Sequence, residues 1–117
     1  MNFVSRAEWG AAYAQGSGSI AGPVLGVTLH WEGPHMGDFG HDQCARKVKS
    51  IERFHAVTRG WSGVAYNLLV CPHGSVYEGR GAGVRSAANG TSSIGGNDQW
   101  YGVCYLCGEG DGVTGAQ

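Results

Sequence analysis

Residues 24–31, VLGVTLHW, run without a charge, and five of the eight are apolar or aromatic. A run this short and this apolar reads as a buried strand. Pro23 opens it, which a ladder tolerates because a strand's first residue need not donate. The strand ends by presenting one side chain of ligand type, His30. Open α/β folds collect their chemistry at the C-terminal ends of strands. His30 is therefore the first candidate functional residue, and the rest of the chain is read for what surrounds it.

At 117 residues the chain has the length of one domain. Its formal net charge of -1 gives no cationic footprint for nucleic acid. No apolar run reaches the roughly 18 residues that a membrane span needs. MNFVSRAEWG lacks the basic-then-apolar layout of a secretory signal. The 22 glycines predict long loops or close backbone approaches. Four cysteines, Cys44, Cys71, Cys104 and Cys107, are too few for a disulfide scaffold. Whether Cys44 and Cys71 pair stays open. Cys104-Tyr-Leu-Cys107 has metal or redox spacing but sits in an apolar run with no second such pair. Those two cysteines read as small interior hydrophobes.

The remaining elements follow from period and punctuation. Ser5 and Glu8 form a capping box for one helical turn that Trp9 packs down. Residues 13–22 are a Gly/Ser loop, and 32–42 form a wide turn carrying His35 and His41, read as exposed loop histidines. From 41 to 55, Cys44, Val48, Ile51 and Phe54/His55 recur at helical steps, with Asp42 in the first turn and basic residues after it. His55 reads as a helix-end residue with a hydrogen-bonding role. VAYNLLVC at 64–71 is apolar on both faces, the mark of a central strand. Pro72-His73-Gly74 turns it into SVYEGR at 75–80 as a hairpin. Residues 81–99 are long enough to be a functional loop. WYGVCYLC at 100–107 is the last strand, and 108–117 reads as a flexible tail. The expected fold is α/β, a mixed central sheet with packed helices. With only one substantial helix, one sheet face is undercovered.

His30 and Tyr66 lie on two expected strands, and pairing those strands side by side would put both in one cleft. Imidazole is a sound zinc ligand, the phenol could stabilise an oxyanion, and Glu32 could act as a base. A catalytic zinc takes three protein ligands. Completing the set would require Cys104 or Cys107 with His35, His41, His55 or His73, and spacing selects none of them.

SRAEWGA at 5–11, VTLHW at 27–31, IERFH at 51–55, GWSGVAYNLLVCPHGSVYEGRG at 60–81 and VRSAANGTSSIGGNDQWYGVCYL at 84–106 occur in the order seen in one known family. The chain resembles the peptidoglycan-recognition / type 2 N-acetylmuramoyl-L-alanine amidase family, most nearly the amidase domain of endolysins from phages of actinobacteria. The resemblance implies zinc-dependent cleavage of the amide between N-acetylmuramic acid and L-alanine of peptidoglycan. It implies His30 as first zinc ligand and Tyr66 as the active-site tyrosine; Glu32 stays a candidate base on its position alone. Arg85, Asn89 and Asn97 fall where the family lines its substrate groove, and Trp31, next to His30, is a further candidate substrate contact. An endolysin would wait in the host cytoplasm and act on the wall once released.

The departures count equally. The family's second histidine and third ligand come late, in a Gly-His-Arg-Asp segment followed by Thr-x-Cys-Pro-Gly, and neither is in this sequence. Arg85-Ser86-Ala87-Ala88 stands where some members carry another histidine. The expectation is a partial amidase domain, its C-terminal part missing, with an incomplete ligand set. Three forms stay open: a truncated enzyme, one half of a split enzyme completed by a second polypeptide, or a non-catalytic peptidoglycan binder.

Overall fold

The computed structural model describes residues 2–89 and 96–117. Strand β1 (Phe3–Val4) leads into helix α1 (Arg6–Trp9). Its capping box is formed: the Glu8 amide donates to the Ser5 hydroxyl and the Ser5 amide to the Glu8 carboxylate. Gly10 closes it in the left-handed conformation that favours glycine. The Trp9 ring is buried and its indole N–H donates to the Glu78 carbonyl at 2.9 Å.

Next come β2 (Gly26–Trp31), α2 (Cys44–Arg53), β3 (Leu68–Val70), β4 (Val76–Glu78), α3 (Gly96–Gln99) and β5 (Trp100–Tyr105). A 3-10 turn, His41–Gln43, precedes α2, and a π-helical turn, Phe54–Thr58, prolongs it. The sheet order is β1-β4-β3-β5-β2. β3 and β4 are the expected antiparallel hairpin, while β1–β4, β3–β5 and β2–β5 pair in parallel. The fold is the mixed α/β sheet with packed helices that the sequence predicts. β3 is interior to the sheet, as its two apolar faces require.

Two expectations are corrected. The strands carrying the His30 and Tyr66 regions are not side by side, because β5 lies between β2 and β3. Tyr66 is not on a strand either: pairing begins at Leu68. Residues 64–67 are held by backbone and side-chain bonds together: the Asn67 amide donates to the Gly102 carbonyl, and the Arg80 and Ala87 amides donate to the Tyr66 and Ala65 carbonyls. The Arg80 guanidinium donates to the Val64 carbonyl at 2.7 Å, and the Ser86 hydroxyl to that of Ala65 at 2.9 Å.

The core lies between α2 and one sheet face, where Cys44, Val48 and Ile51 meet Leu69, Cys71, Tyr77 and Cys104. Along β2, Val27, Leu29 and Trp31 turn the other way and are 49%, 54% and 64% exposed. That sheet face is therefore apolar and open, as the single substantial helix led one to expect. Cys104 and Cys107 are both interior. Residues 108–117 fold back onto the body. Asp111 accepts from the Met36, Gly37 and Gly108 amides, the Thr114 hydroxyl donates to the Pro72 carbonyl, and the Gln117 amide donates to that of Val70. Within the 81–99 loop, residues 90–95 lie outside the described residues.

Candidate functional site

The alternation of β2 that sends Trp31 outward turns His30 inward, level with Cys104 on β5. The rings of His30 and Tyr66 lie 5.4 Å apart between centroids. The Tyr66 hydroxyl donates to Glu32 at 3.0 Å. Burial pushes the Glu32 carboxyl up, with the Tyr66 hydrogen bond pulling the other way. Burial, then the neighbouring Cys104 and Glu32, holds the Tyr66 phenol far above the usual tyrosine range. The phenol is thus a fixed neutral donor. Cys104 lies fully buried beside it, and burial holds it as a thiol.

Asn89 fixes the His30 ring. Its amide nitrogen donates to the Trp100 carbonyl at 2.8 Å, which orients its oxygen toward His30 Nε2 at 2.6 Å. Nε2 therefore donates, and in the neutral imidazole Nδ1 is left as the acceptor. Asn97 holds Asn89 in turn, its side-chain oxygen accepting from the Asn89 amide at 2.9 Å.

The end of α2 supplies the opposite wall. His55 is buried, and its Nδ1 accepts from the Ala65 amide at 3.0 Å. Its ring packs on Trp61 and Tyr66 at 4.9 and 5.6 Å. The Arg59 guanidinium lies over the Phe54 and Trp61 rings. Together these groups enclose a cleft of about 620 Å³ with His30, Glu32 and Tyr66 on one side and Phe54, Arg59 and Trp61 on the other. It can accept a ligand carrying amide or hydroxyl groups, small apolar patches and an anionic group.

Burial, with Arg59 and Arg80 nearby, lowers the His55 pKa to about 4. Between that value and the ordinary 6.5, the unfolded chain binds the proton and the folded chain does not. Stability is fully present above pH 6.5 and falls as pH drops toward 4, by roughly 1–3 kcal/mol after allowance for solvent screening. Urea unfolding at pH 7 and pH 4.5 measures this, and His55→Gln should flatten the difference. An equal pH dependence in that variant would reject the assignment.

No family model matches the sequence. The chain is 33% identical over 88 residues to mouse peptidoglycan recognition protein 1, covering 74% of this chain and 47% of that protein. It is 32% identical over 105 residues to human N-acetylmuramoyl-L-alanine amidase, covering 86% of this chain and 17% of that one. Human PGRP-IβC, solved in complex with a muramyl pentapeptide, superposes with a TM-score of 0.83 at 22% identity, over 98% of this chain and 67% of that one. The fold is that of the peptidoglycan recognition proteins. The chain spans about half the length of the recognition proteins it matches, and the matches are mainly to animal proteins rather than to phage endolysins.

Within this peptidoglycan-recognition-protein fold, His30, Tyr66, Glu32 and Asn89 come together. Trp31 sits at the rim of the cleft, on the outward side of β2. Arg85 is elsewhere: it pairs with Asp98 at 3.1 Å in a neighbouring depression that also contains Asn97. The sequence reading did not foresee Cys104 beside Tyr66, Trp61 facing His55, or the Asn89–His30 hydrogen bond.

The zinc that the resemblance implies does not fit the groups assembled at His30. Asn89 takes Nε2, so the imidazole offers one free ligand atom, Nδ1; the near oxygen of Glu32 holds the Tyr66 hydroxyl, and Cys104 is sealed beneath the phenol. One imidazole is a third of the set a catalytic zinc needs. Among the described residues, the side chains that do converge as metal ligands lie at the other end of α2.

Proposed function

We propose that the chain binds a peptidoglycan fragment in the His30–Tyr66 cleft, and that its own residues do so without zinc hydrolysis. The observation that carries this is the cleft itself. Fixed donors and acceptors from His30, Tyr66 and Glu32 face an aromatic wall capped by Arg59. A muropeptide offers matching chemistry: amides for the phenol and imidazole, alanine and lactyl methyls for the rings, and peptide carboxylates for the guanidinium. Solved relatives with this fold are described in complex with tracheal cytotoxin or a muramyl pentapeptide, which supports the choice of ligand.

Calorimetry with a muramyl pentapeptide, with and without chelator, tests it. Binding should survive the chelator, and Trp61→Ala should weaken it about tenfold, as loss of an aromatic anchor does. His30→Ala should weaken it by a similar factor. Absence of binding, or release of free stem peptide detected by chromatography, would overturn the reading.

A second reading has its own support. The open apolar face of β2 and β5 suits a covering element from another polypeptide. The family resemblance would also make His30 the first zinc ligand. On this reading the chain is part of an endolysin-type N-acetylmuramoyl-L-alanine amidase, made in the host cytoplasm and acting on the wall after release. It predicts zinc uptake at His30 and stem-peptide release only after mixing with a chain that supplies the late histidine and cysteine. Mixing that changes neither would dismiss it.

A further inference from the structure

Two short segments far apart in sequence meet at the N-terminal end of α2. His41 and Cys44 come from the 3-10 turn and the first residue of α2, where residues three apart fall on one side. Cys71 and His73 come from the turn joining β3 to β4, closed by the Gly74 amide donating to the Cys71 carbonyl at 3.0 Å. One ligand atom from each of the four lies within 4.8 Å of all the others. Cys44 Sγ and His73 Nδ1 are 3.3 Å apart. The two imidazoles meet edge to face, 5.4 Å between centroids. Both cysteines are fully buried, and both histidines reach solvent.

We propose that His41, Cys44, Cys71 and His73 form a closed structural zinc site that ties the start of α2 to the β3–β4 turn. Zinc bound to two sulfurs at about 2.3 Å and two nitrogens at about 2.0 Å sets its ligands roughly 3.3–3.8 Å apart. The observed cluster needs only a slight contraction to reach that. Four protein ligands leave no open position, so the site holds structure and does no chemistry. Binding displaces one proton from each thiol to solvent, and the metal takes a thiolate pair and two neutral imidazoles. The Tyr77 ring shares the core with Cys44, and the Phe39 ring packs edge-on against His73. The site sits at the start of α2, whereas the His30 cleft is lined by residues from its other end, Ser50 and Ile51. It is independent of the peptidoglycan reading.

The test is metal analysis of the full chain, purified under reducing conditions and reconstituted with zinc, with cobalt as the spectroscopic probe. The expected result is about one zinc per chain, retained in His30→Ala. Cobalt should give tetrahedral d–d bands with a thiolate charge-transfer band, and chelator should lower the Tm. The paired variant His41→Ala/His73→Ala alters only exposed rings, so it should stay folded by circular dichroism while zinc content falls below about a tenth. Cys44→Ser/Cys71→Ser should remove the charge-transfer band. The proposal is overturned by zinc below about a tenth per chain in the reconstituted wild type, or by full retention in the two-histidine variant. Loss of the metal in His30→Ala would overturn it too.

Discussion

Asn67→Ala is expected to lose about 3–5 kcal/mol of folding free energy and to lower the Tm by roughly 15 °C or more. The side chain is 1% exposed and makes three bonds to backbone that no other group replaces. Its nitrogen donates to the Gly81 and Val84 carbonyls at 2.7 and 2.8 Å, and its oxygen accepts from the Gly102 amide at 2.8 Å. It thereby joins the segment leading into β3, the turn after β4, and β5. Truncation strands three backbone groups, two buried and one partly buried, each costing about 1–3 kcal/mol when left without a partner. Asn67→Asp should be no milder, since it keeps the acceptor but points a carboxylate at two carbonyls. Urea unfolding decides the matter, and a loss below about 1 kcal/mol for Asn67→Ala would contradict this role. Because Tyr66 is the preceding residue, the same variant should also weaken ligand binding in the fraction that remains folded.

Glu52→Leu should cost about 3–5 kcal/mol, although leucine suits a helix and a core. The carboxylate is 1% exposed on α2. It accepts from the Ala12 amide at 3.0 Å and the Tyr13 amide at 3.3 Å, and it faces the Arg6 guanidinium at 3.6 Å. Arg6 also donates to the Gly79 and Tyr13 carbonyls, so it cannot swing into water without breaking those bonds. Removing the carboxylate leaves two amides and a partly buried cation without their acceptor. Glu52→Gln retains one oxygen and should lose about half as much. If leucine proved as stable as glutamate in urea unfolding, the carboxylate would be a passive helix residue rather than the anchor of the N-terminal segment.

Much of the scaffold is visible in local pattern. The Ser5–Glu8 capping box, the Cys44–Val48–Ile51 stripe and the Pro72-His73-Gly74 turn are each written within a few residues, and each forms as expected. What spacing could not reveal is nonlocal. Nothing near His30 says that β5 rather than β3 will lie beside it. The apolar run at 64–71 suggests a continuous strand, yet the strand begins only at Leu68, and the Val64 and Ala65 carbonyls accept from the Arg80 and Ser86 side chains, more than ten residues away. In the candidate cleft, His30, Tyr66 and Glu32 were legible from residue type and family resemblance, while Asn89 was placed in the groove without its bond to His30. The four-residue cluster was the least legible. Each half supplies two ligands, with two intervening residues in one and a single one in the other. The better local signal, Cys104 and Cys107, lies at an interior strand end where, among the described residues, no further ligands converge.

The parallel pairing of β2 with β5 also bears on folding kinetics. His30 acquires its neighbour Cys104 only when the last strand of the sheet arrives. A nascent chain on the ribosome can form the hairpin and dock α2 early, since those contacts are close in sequence. Joining β2 must wait for closure of a loop of more than seventy residues, an entropic penalty that local contacts do not share. Until β5 emerges, β2 is an orphan apolar ribbon, and that interval is when the chain is most exposed to aggregation and most dependent on chaperones.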